Sequence, residues 1–130
     1  MQKRLRWLPM RQTVPRRLRS FGTWRRCVRG EVFRLRAPRG TQGHEQAGVR
    51  YAVVVQSDLL PLSTWLVAPT SSSARAATFR PEVSIVGRST RVLAEQTSAV
   101  DPQRLGESVG HLSFDELRQV DAALRLVLGL

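Results

Sequence analysis

The sequence predicts a mainly β protein with a C-terminal helix, in which bent antiparallel strands form a curved sheet or small barrel. Three observations predict this class. Short segments rich in β-branched residues are separated by Gly, Pro and Ser clusters, a pattern typical of a β-meander and not of βαβ units. From Ser113 onward, the apolar residues change to helical spacing. The chain of 130 residues has room for one domain with one buried core.

Five strands make up the predicted sheet. They cover residues 31–35, 49–56, 64–69, 79–86 and 90–95. In the second strand, the run from Tyr51 to Val55 is apolar without alternation, so we expect a central strand that is covered on both faces. After the last strand, a short helical turn is predicted from the cap Asp101-Pro102 through Leu105.

The C-terminal helix has a well-marked start. Ser113 can cap it, Glu116 completes a capping box three residues later, and Leu112 and Leu117 occupy the positions of a hydrophobic staple. One face of the helix is apolar, and it is expected to pack on the sheet or on a second subunit. The residues of this face are Leu117, Val120, Leu124, Val127 and Leu128.

The net charge of +11 is concentrated at the N-terminus. Residues 1–29 hold ten basic residues and no acidic one, whereas residues 30–130 hold eleven arginines against ten Asp and Glu, which leaves this part at +1. The basic segment contains Pro9 and Pro15 and has too few apolar residues to offset its ordering entropy. We therefore predict a mobile basic arm, residues 1–28, followed by a folded domain, residues 29–130.

The arm is a candidate RNA-binding segment. Its arginines interleave with Trp7, Phe21 and Trp24, a mixture that can neutralise phosphates while the rings stack on bases. Two other interpretations stay open: an upstream-start extension with Met10 as the alternative start, and a targeting-type segment, which is also rich in arginine and free of acidic residues. The expected RNA contacts in the arm are Arg16, Arg17, Arg19, Arg25 and Arg26.

Several classes of protein are excluded by missing patterns. No apolar stretch approaches the roughly 20 residues that cross a bilayer, and the single cysteine, Cys27, cannot form an intramolecular disulfide, so we expect a cytoplasmic, reducing compartment and no membrane contact. No Walker loop, GxGxxG, HExxH or GxSxG motif occurs. His44 and His111 lie far apart, without the clustered Cys or carboxylate companions that indicate a metal site. We predict neither a metal nor a cofactor.

Arg50 is the leading candidate for an active-site residue. The Gly-containing polar loop 43–48 delivers it to the beginning of a buried strand, a placement that holds a long cation rigidly at the rim of a domain. Its guanidinium has a fixed fork of donors suited to phosphate and can stabilise the charge that grows on a pentavalent phosphorus during strand scission. The structural alternative is an arginine that snorkels from the strand end or pairs with Glu45.

Two further segments end in polar side chains. Hydroxyls follow the third predicted strand at Thr70, Ser71 and Ser72, where they can donate to a phosphate oxygen or orient a ribose hydroxyl. The alternative for this segment is a Ser-rich turn. Glu95 or Gln96, at the end of the last predicted strand, can contact a base edge, hold the strand-entry arginine in place, or simply satisfy backbone groups of a loop.

Taken in order, these segments resemble the MazF/PemK family of toxin endoribonucleases. The resemblance covers residues 29–130, and no single piece of it is specific, but five pieces in register are. The pieces are RGE at 29–31, EQAGVRYAVVV at 45–55, the threonine that follows VAP at 67–69, EQ at 95–96 with DPQRL at 101–105, and the helix that ends in LVLGL at 126–130.

The resemblance implies an SH3-like barrel of bent antiparallel strands, of the MazF/PemK/CcdB type, paired as a homodimer. It implies metal-independent cleavage of single-stranded RNA, mainly messenger RNA, by attack of a 2′-hydroxyl that leaves a 2′,3′-cyclic phosphate and a 5′-hydroxyl. It assigns proton transfer and transition-state stabilisation to Arg50 and the phosphate-side hydroxyl to Thr70. Because a guanidinium is a poor base, we expect stabilisation first. RNA-binding or supporting roles fall on His44, Glu45, Gln46, Ser71, Ser72, Glu95 and Gln96.

Two positions depart from the family pattern. Tyr51 stands where proline usually follows the arginine, which loosens or re-aims the strand entry. His44 stands where many members have a small hydroxyl residue, and it either replaces that group as an acid or base or changes the base specificity. The proton path therefore stays open.

The resemblance also implies a protein partner. Family toxins are held inactive by a cognate antitoxin whose acidic, initially disordered tail lies along the RNA groove, because a basic groove attracts such a tail with the charges that attract RNA. We expect the body arginines to cluster on one face for this purpose. They include Arg34, Arg36, Arg39, Arg50, Arg75, Arg80, Arg88 and Arg91.

Two rival functions stay open. Topoisomerase-poisoning toxins are similar in fold, so the chain can be a non-catalytic toxin that acts on a protein target through its terminal helix, with Arg50 and Thr70 dispensable. It can also be a non-catalytic RNA-binding SH3-like barrel in which the arm binds RNA and no cut is made.

Overall fold

The structure is a computed structural model that describes residues 26–36 and 50–130. The described part is mainly β with one C-terminal α-helix, which confirms the predicted class. Two short 3-10 helices, Ala94–Gln96 and Pro102–Arg104, interrupt the strands. The strands are β1 (Glu31–Leu35), β2 (Tyr51–Val54), β3 (Trp65–Ser71), β4 (Glu82–Ile85), β5 (Arg88–Val92), β6 (Ser98–Val100) and β7 (Leu105–His111), and the helix is α1 (Phe114–Leu128).

The strands form one curled antiparallel sheet. Their order is β4-β5-β3-β2-β1-β7, and β6 pairs with a second stretch of β3. Strand β3 is therefore shared by three neighbours: it pairs with β6 near its start, with β2 in its middle and with β5 at Thr70 and Ser71. The curl leaves a groove of about 120 Å³ between the edge strands β4 and β7. The expected small barrel is present as a half-barrel.

Strand β2 is covered on both faces, as its unbroken apolar run predicts. Val53 is fully buried in the cluster that includes Val120 of the helix. Val54 is fully buried in a second cluster around Phe33 and Trp65, whose tilted rings have centroids 5.7 Å apart. Because neighbouring residues of a strand point to opposite faces, one apolar run supplies both cores.

Helix α1 begins where the sequence predicts it. The Ser113 hydroxyl accepts from the Glu116 amide at 3.1 Å, and the Glu116 carboxylate accepts from the Ser113 amide at 2.9 Å, which completes the capping box. The second carboxylate oxygen of Glu116 accepts from the Ser84 amide at 2.8 Å. Burial opposes ionisation of Glu116, but these hydrogen bonds outweigh it and lower the pKa of Glu116. The helix start is thereby tied to β4.

The apolar face of α1 packs on the sheet over only part of its length. Val120 is fully buried, and Leu117 and Leu124 are half-buried against the same core, whereas Val127 and Leu128 stay exposed. The helix ends at Gly129, which is left-handed. In the described ranges, no helix is both long enough and apolar enough to cross a membrane.

The antiparallel arrangement gives the sheet two ends. We call the start of β1, the end of β2 and the start of α1 the Arg29 end, and we call the start of β2 and the end of β3 the Arg50 end. Strand β2 runs from one to the other. At about 3.4 Å per residue, positions 50 and 55 lie roughly 17 Å apart.

Arg29 joins three parts of the Arg29 end. Its amide donates to the Asp58 carboxylate at 2.5 Å, its Nε donates to the Val55 carbonyl at 2.9 Å, and its guanidinium lies 2.7 Å from the Asp121 carboxylate of the helix. The opening arginine of the RGE motif is therefore a structural clamp.

Gly30 sits where a side chain would not fit. Its φ of +94° lies in the left-handed region, and a Cβ built on it would lie 2.7 Å from Cε1 of His111. The His111 ring nitrogens face the carbonyl oxygens of Arg29 and Leu112 at 2.8 and 2.7 Å. The glycine of the RGE motif makes room for this ring.

Some predicted boundaries were wrong. Strands β6 and β7 were not predicted, and residues 94–95 belong to a 3-10 helix instead of the fifth strand. Strand β4 is shorter than the predicted 79–86, since Pro81 lacks an amide for pairing. The predicted turn is confirmed as Pro102–Arg104, capped by Asp101, whose carboxylate accepts from the Gln103 amide at 2.9 Å.

Candidate functional site

Arg50 and Thr70 meet at the Arg50 end of the sheet. Arg50 stands immediately before β2, and its Nε donates to the carbonyl oxygen of Thr70 at 3.2 Å. The amide of Tyr51 donates to the hydroxyl of Thr70, also at 3.2 Å. The pairing of Ala52 with Pro69 causes this contact, since antiparallel register then brings position 70 opposite position 51. We call these contacts the Arg50–Thr70 unit.

The main chain of Arg50 is held, but most of its guanidinium is not. Its carbonyl accepts from the Leu35 amide at 2.9 Å, while its side chain is exposed. Within residues 26–36 and 50–130, no carboxylate lies within ion-pair distance of it. A guanidinium that spends one donor on a neutral oxygen keeps its remaining N–H groups for an anion.

Thr70 faces the interior. Its side chain is 1% exposed, and its strand partner Val92 is fully buried. The next residue, Ser71, pairs with Arg91 and points to the opposite face. In this conformation the Thr70 hydroxyl accepts from the Tyr51 amide, and its direct contact with a phosphate stays a prediction.

The outward hydroxyls lie just beyond Thr70. Ser71 is half-buried, with its Oγ 3.4 Å from that of Ser73, and Ser72 is exposed. Arg91, opposite Ser71, donates to the Arg80 carbonyl at 3.0 Å. The outer surface at this end therefore combines hydroxyls with guanidinium groups.

Glu95 is bound to Arg80 and does not contact Arg50. The Nε and one terminal nitrogen of Arg80 lie 3.0 and 2.8 Å from the same oxygen of Glu95. Burial opposes ionisation of Glu95, but the hydrogen bonds and charge of Arg80 outweigh it and lower the pKa of Glu95. Gln96 is exposed on the same 3-10 helix. Glu95 therefore holds another arginine in place.

Arg80 is the residue that the motif reasoning missed. Its guanidinium also lies 5.4 Å from the Phe79 ring centroid, and it donates to the Arg75 carbonyl at 3.3 Å. The only sequence signal for it is general: a half-buried carboxylate needs a cation or several donors. The chain offers many arginines, and only the fold selects this one.

Several predicted residues lie outside the described ranges. They are His44, Glu45, Gln46 and the arm residues Arg16, Arg17, Arg19 and Arg25. The remaining arm residue, Arg26, is described and exposed at the Arg29 end, away from Arg50.

No group of three or more His, Cys, Asp or Glu side chains in the described part lies close enough to hold a metal ion. The groove between β4 and β7 is lined by residues such as Ile85, Val109 and His111 and by none of the predicted site residues. The groove is therefore separate from the Arg50–Thr70 unit.

The described part is a half-barrel with one C-terminal helix, in which an exposed arginine lies beside a buried threonine. Comparison with known proteins identifies the class as small toxins of toxin-antitoxin systems. A family model described as PemK-like, MazF-like toxin of type II toxin-antitoxin system matches residues 28–128. The chain belongs to this family, which confirms the resemblance.

Individual relatives agree with the family. A Mycobacterium tuberculosis protein named as a candidate toxin, Rv3098A, is 39% identical over 104 residues, covering 79% of this chain and 98% of the relative. The crystal structure of MazF from Deinococcus radiodurans is similar with a TM-score of 0.62 and 26% identity, covering 78% of this chain and 96% of that one. A mycobacterial endoribonuclease in complex with its cognate antitoxin shares the fold, with a TM-score of 0.65 at 17% identity, covering 79% and 95%.

Proposed function

We propose that this toxin is a metal-independent endoribonuclease that cuts single-stranded RNA, mainly messenger RNA. The observation that carries the proposal is the Arg50–Thr70 unit: an exposed guanidinium, fixed by one neutral oxygen, at the rim of a rigid sheet. A similar solved structure is titled MazF, and a protein with the same fold is titled an endoribonuclease. The site and the relatives therefore support the same activity.

The reaction needs charge stabilisation at one phosphorus. The ribose 2′-hydroxyl loses its proton as its oxygen bonds to phosphorus, and the 5′-oxygen gains a proton as its bond to phosphorus breaks. Between these events the non-bridging oxygens carry extra negative charge. The remaining donors of Arg50 can bind those oxygens, and because a guanidinium is in general a poor base, we assign Arg50 stabilisation rather than proton transfer.

Thr70 acts through Arg50. Its carbonyl oxygen orients the Arg50 side chain, and its hydroxyl fixes the amide of Tyr51, which is where the strand entry departs from the family pattern. Ser71 and Ser72, which lie beside it on the outer surface, are the hydroxyls that can reach a phosphate or ribose. Gln96 is exposed and can contact a base edge, as can His44, Glu45 and Gln46 from the loop before β2.

The partners follow from charge and exposed apolar surface. An acidic antitoxin tail can bind the same arginines that would bind RNA, which include Arg50 and Arg91. A second copy of the chain can cover the end of α1, where large apolar side chains remain exposed. These are Leu126, Val127, Leu128 and Leu130. We propose that the protein acts in the cytoplasm, because that is where messenger RNA is translated.

The test is incubation of the purified chain with a long single-stranded RNA in excess EDTA, with mapping of cut positions and end groups. The variants are Arg50→Ala and Thr70→Ala, and the matched control is Arg125→Ala, which removes an exposed arginine from the helix. We expect discrete cuts with cyclic-phosphate ends that disappear in Arg50→Ala and weaken in Thr70→Ala. The control should cut at the wild-type rate.

Two outcomes would move the function elsewhere. RNA left intact by a chain that still stops cell growth would indicate the protein-target toxin. RNA that is bound but uncut, without growth inhibition, would indicate the RNA-binding barrel.

A further inference from the structure

A short loop at the Arg29 end presents three leucines to solvent. Leu59 is 86% exposed, Leu62 is 50% exposed and Leu60 is 47% exposed, all between β2 and β3. We call them the leucine loop. Single exposed apolar residues are normal on a protein surface, but three within four positions form a contiguous patch of the kind that marks a contact surface.

Hydrogen bonds to Gln56 and Ser57 fix the main chain of the leucine loop and of its neighbour Leu66. The fully buried amide side chain of Gln56 donates to the Leu60 carbonyl at 2.9 Å and accepts from the Leu66 amide at 3.0 Å. The Leu59 amide donates to the Ser57 hydroxyl at 3.0 Å. Because these hydrogen bonds fix the main chain, folding the loop inward would break them.

The N-terminal segment joins the body beside this loop. The Cys27 thiol lies 3.7 Å from the Gln56 carbonyl, and the Arg29 amide donates to Asp58 at 2.5 Å, so the chain enters next to Leu59. Val28, between them, is 40% exposed. The entry point is at the Arg29 end, roughly 17 Å along β2 from Arg50.

The segment before residue 26 contains large aromatic side chains of the kind that can cover exposed leucines. It includes Phe21 and Trp24 among arginines, and Trp24 is only three residues from Cys27, within roughly 11 Å along the chain. The carboxylate of Asp58 is exposed at the point where the segment joins the body, and its charge is opposite to that of the segment's arginines. Tethering so close gives these rings a high effective concentration at the loop.

We propose that the leucine loop is the docking surface for the N-terminal arm of the same chain, with Trp24 and Phe21 covering Leu59 and Leu62. The family match begins at residue 28, and 104 aligned residues take up 98% of the mycobacterial relative, so the arm is an addition to the family domain in these comparisons. The arm then serves as a cover for the Arg29 end and does not extend the RNA surface. This inference does not depend on RNA cleavage.

The test measures acrylamide quenching of tryptophan fluorescence in the full chain carrying Trp7→Phe. Two indoles remain, Trp65, which is buried, and Trp24. We expect both to be protected. The double variant Leu59→Ser with Leu62→Ser should raise quenching about twofold, because one of two indoles moves from apolar cover into water.

The matched control is Val86→Ser with Phe114→Ser, which makes the same kind of apolar-to-serine change at two exposed positions outside the loop, 63% and 74%. It should leave the quenching unchanged. The protection should also persist over an about tenfold dilution, since a tethered contact is independent of concentration.

Three results would overturn the proposal. If acrylamide quenches Trp24 as it quenches an exposed indole while the leucine loop is intact, the arm does not cover the loop, and the loop would bind another partner such as the antitoxin. If the protection disappears on dilution, the leucine loop contacts a second copy of the chain instead of its own arm. An equal rise in quenching in the control variant would mean that the effect is not specific to the loop.

Discussion

Two arginines stand at opposite ends of the same sheet and are used in opposite ways. Arg29 donates to Val55, lies 2.7 Å from Asp121 and is only 27% exposed in its side chain. Among the described residues, the Arg50 side chain makes one hydrogen bond, to the carbonyl of Thr70, and Arg50 is exposed. Arg29 closes the fold, whereas Arg50 is held out from it.

The difference shows how a function can be assigned where many arginines compete. An arginine whose guanidinium donors bind groups of its own chain stabilises the fold. An arginine whose main chain is fixed, and whose terminal nitrogens have no partner among the described residues, is available to a ligand. Arg80 belongs with Arg29, because Glu95 occupies its fork. Burial and partners, not the number of positive charges, separate the two kinds.

Removal of each arginine in turn tests this difference in role, and it should give the largest effects. Arg50→Ala should reduce RNA cleavage by about 100- to 1000-fold, the usual cost of losing one donor to a transition-state oxyanion. It should change the free energy of unfolding by less than about 0.5 kcal/mol, because the side chain is exposed. Cleavage rates and urea unfolding measure the two effects.

Arg29→Ala should do the reverse. Loss of its bonds to Val55 and Asp121 should lower the free energy of unfolding by about 1–3 kcal/mol, with the cleavage rate per folded molecule unchanged. If Arg29→Ala abolished cleavage in a fully folded protein, the division between the two ends would be wrong.

Gly30→Ala tests how tightly the Arg29 end is built. A methyl group there meets the His111 ring at 2.7 Å on a backbone with φ of +94°, so we expect unfolding to become easier by about 3 kcal/mol. Gly87→Ala is the control, because φ is +76° but nothing lies within 4 Å, and strain alone should cost about 1 kcal/mol. Equal losses in urea unfolding would remove the ring contact from the explanation.

At the Arg50 end, Thr70→Val keeps the shape of the side chain and removes its oxygen. The Tyr51 amide is then unpaired, so the free energy of unfolding should fall by about 1–2 kcal/mol. Cleavage should fall about tenfold, because Arg50 loses part of its support. Thr70→Ser restores the acceptor and should recover most of both quantities; a failure to recover would point to the methyl group.

The smallest expected effect comes from Glu116 at the Arg29 end. Its pKa is lowered in the folded state, so its contribution to stability is present above the ordinary Glu value of about 4.3 and is lost as the pH falls through the lower folded value. Glu116→Gln should cost about 1 kcal/mol at neutral pH, and the difference from wild type should shrink in acid. Unfolding curves across pH would show this, with the largely exposed Glu107→Gln as control. A difference that stays constant down to strongly acidic pH would contradict it.

Local signals explain what the sequence could predict. Strand β1 was predicted with its observed limits, and the Ser113–Glu116 capping box marked the start of α1, because both patterns lie within a few residues. The Tyr51–Val55 run predicted a strand between two cores for the same reason. The family resemblance rested on such local pieces.

Features that depend on a distant partner were missed. Strand β7 contains Gly106 and Gly110 and several polar residues, so it has no alternation, and its strand character comes from pairing with β1. Glu95 carries no sign of Arg80, and Thr70 no sign that its hydroxyl turns inward. The two-region division of the chain and the loop residues of the site stay predictions.

The pairing of β1 with β7 has a consequence for how the protein is made. Glu31 lies opposite His111, and the Ser108 hydroxyl reaches Glu31 across 77 positions of sequence. A chain still emerging from the ribosome therefore lacks this partner for its first strand until residues 105–111 have been made, and pairings between such distant segments are slow to form. A product that stops before residue 105 lacks both β7 and the helix that covers Val53. The domain can thus close only after β7 has been made, and synthesis interrupted before that point releases fragments that cannot close.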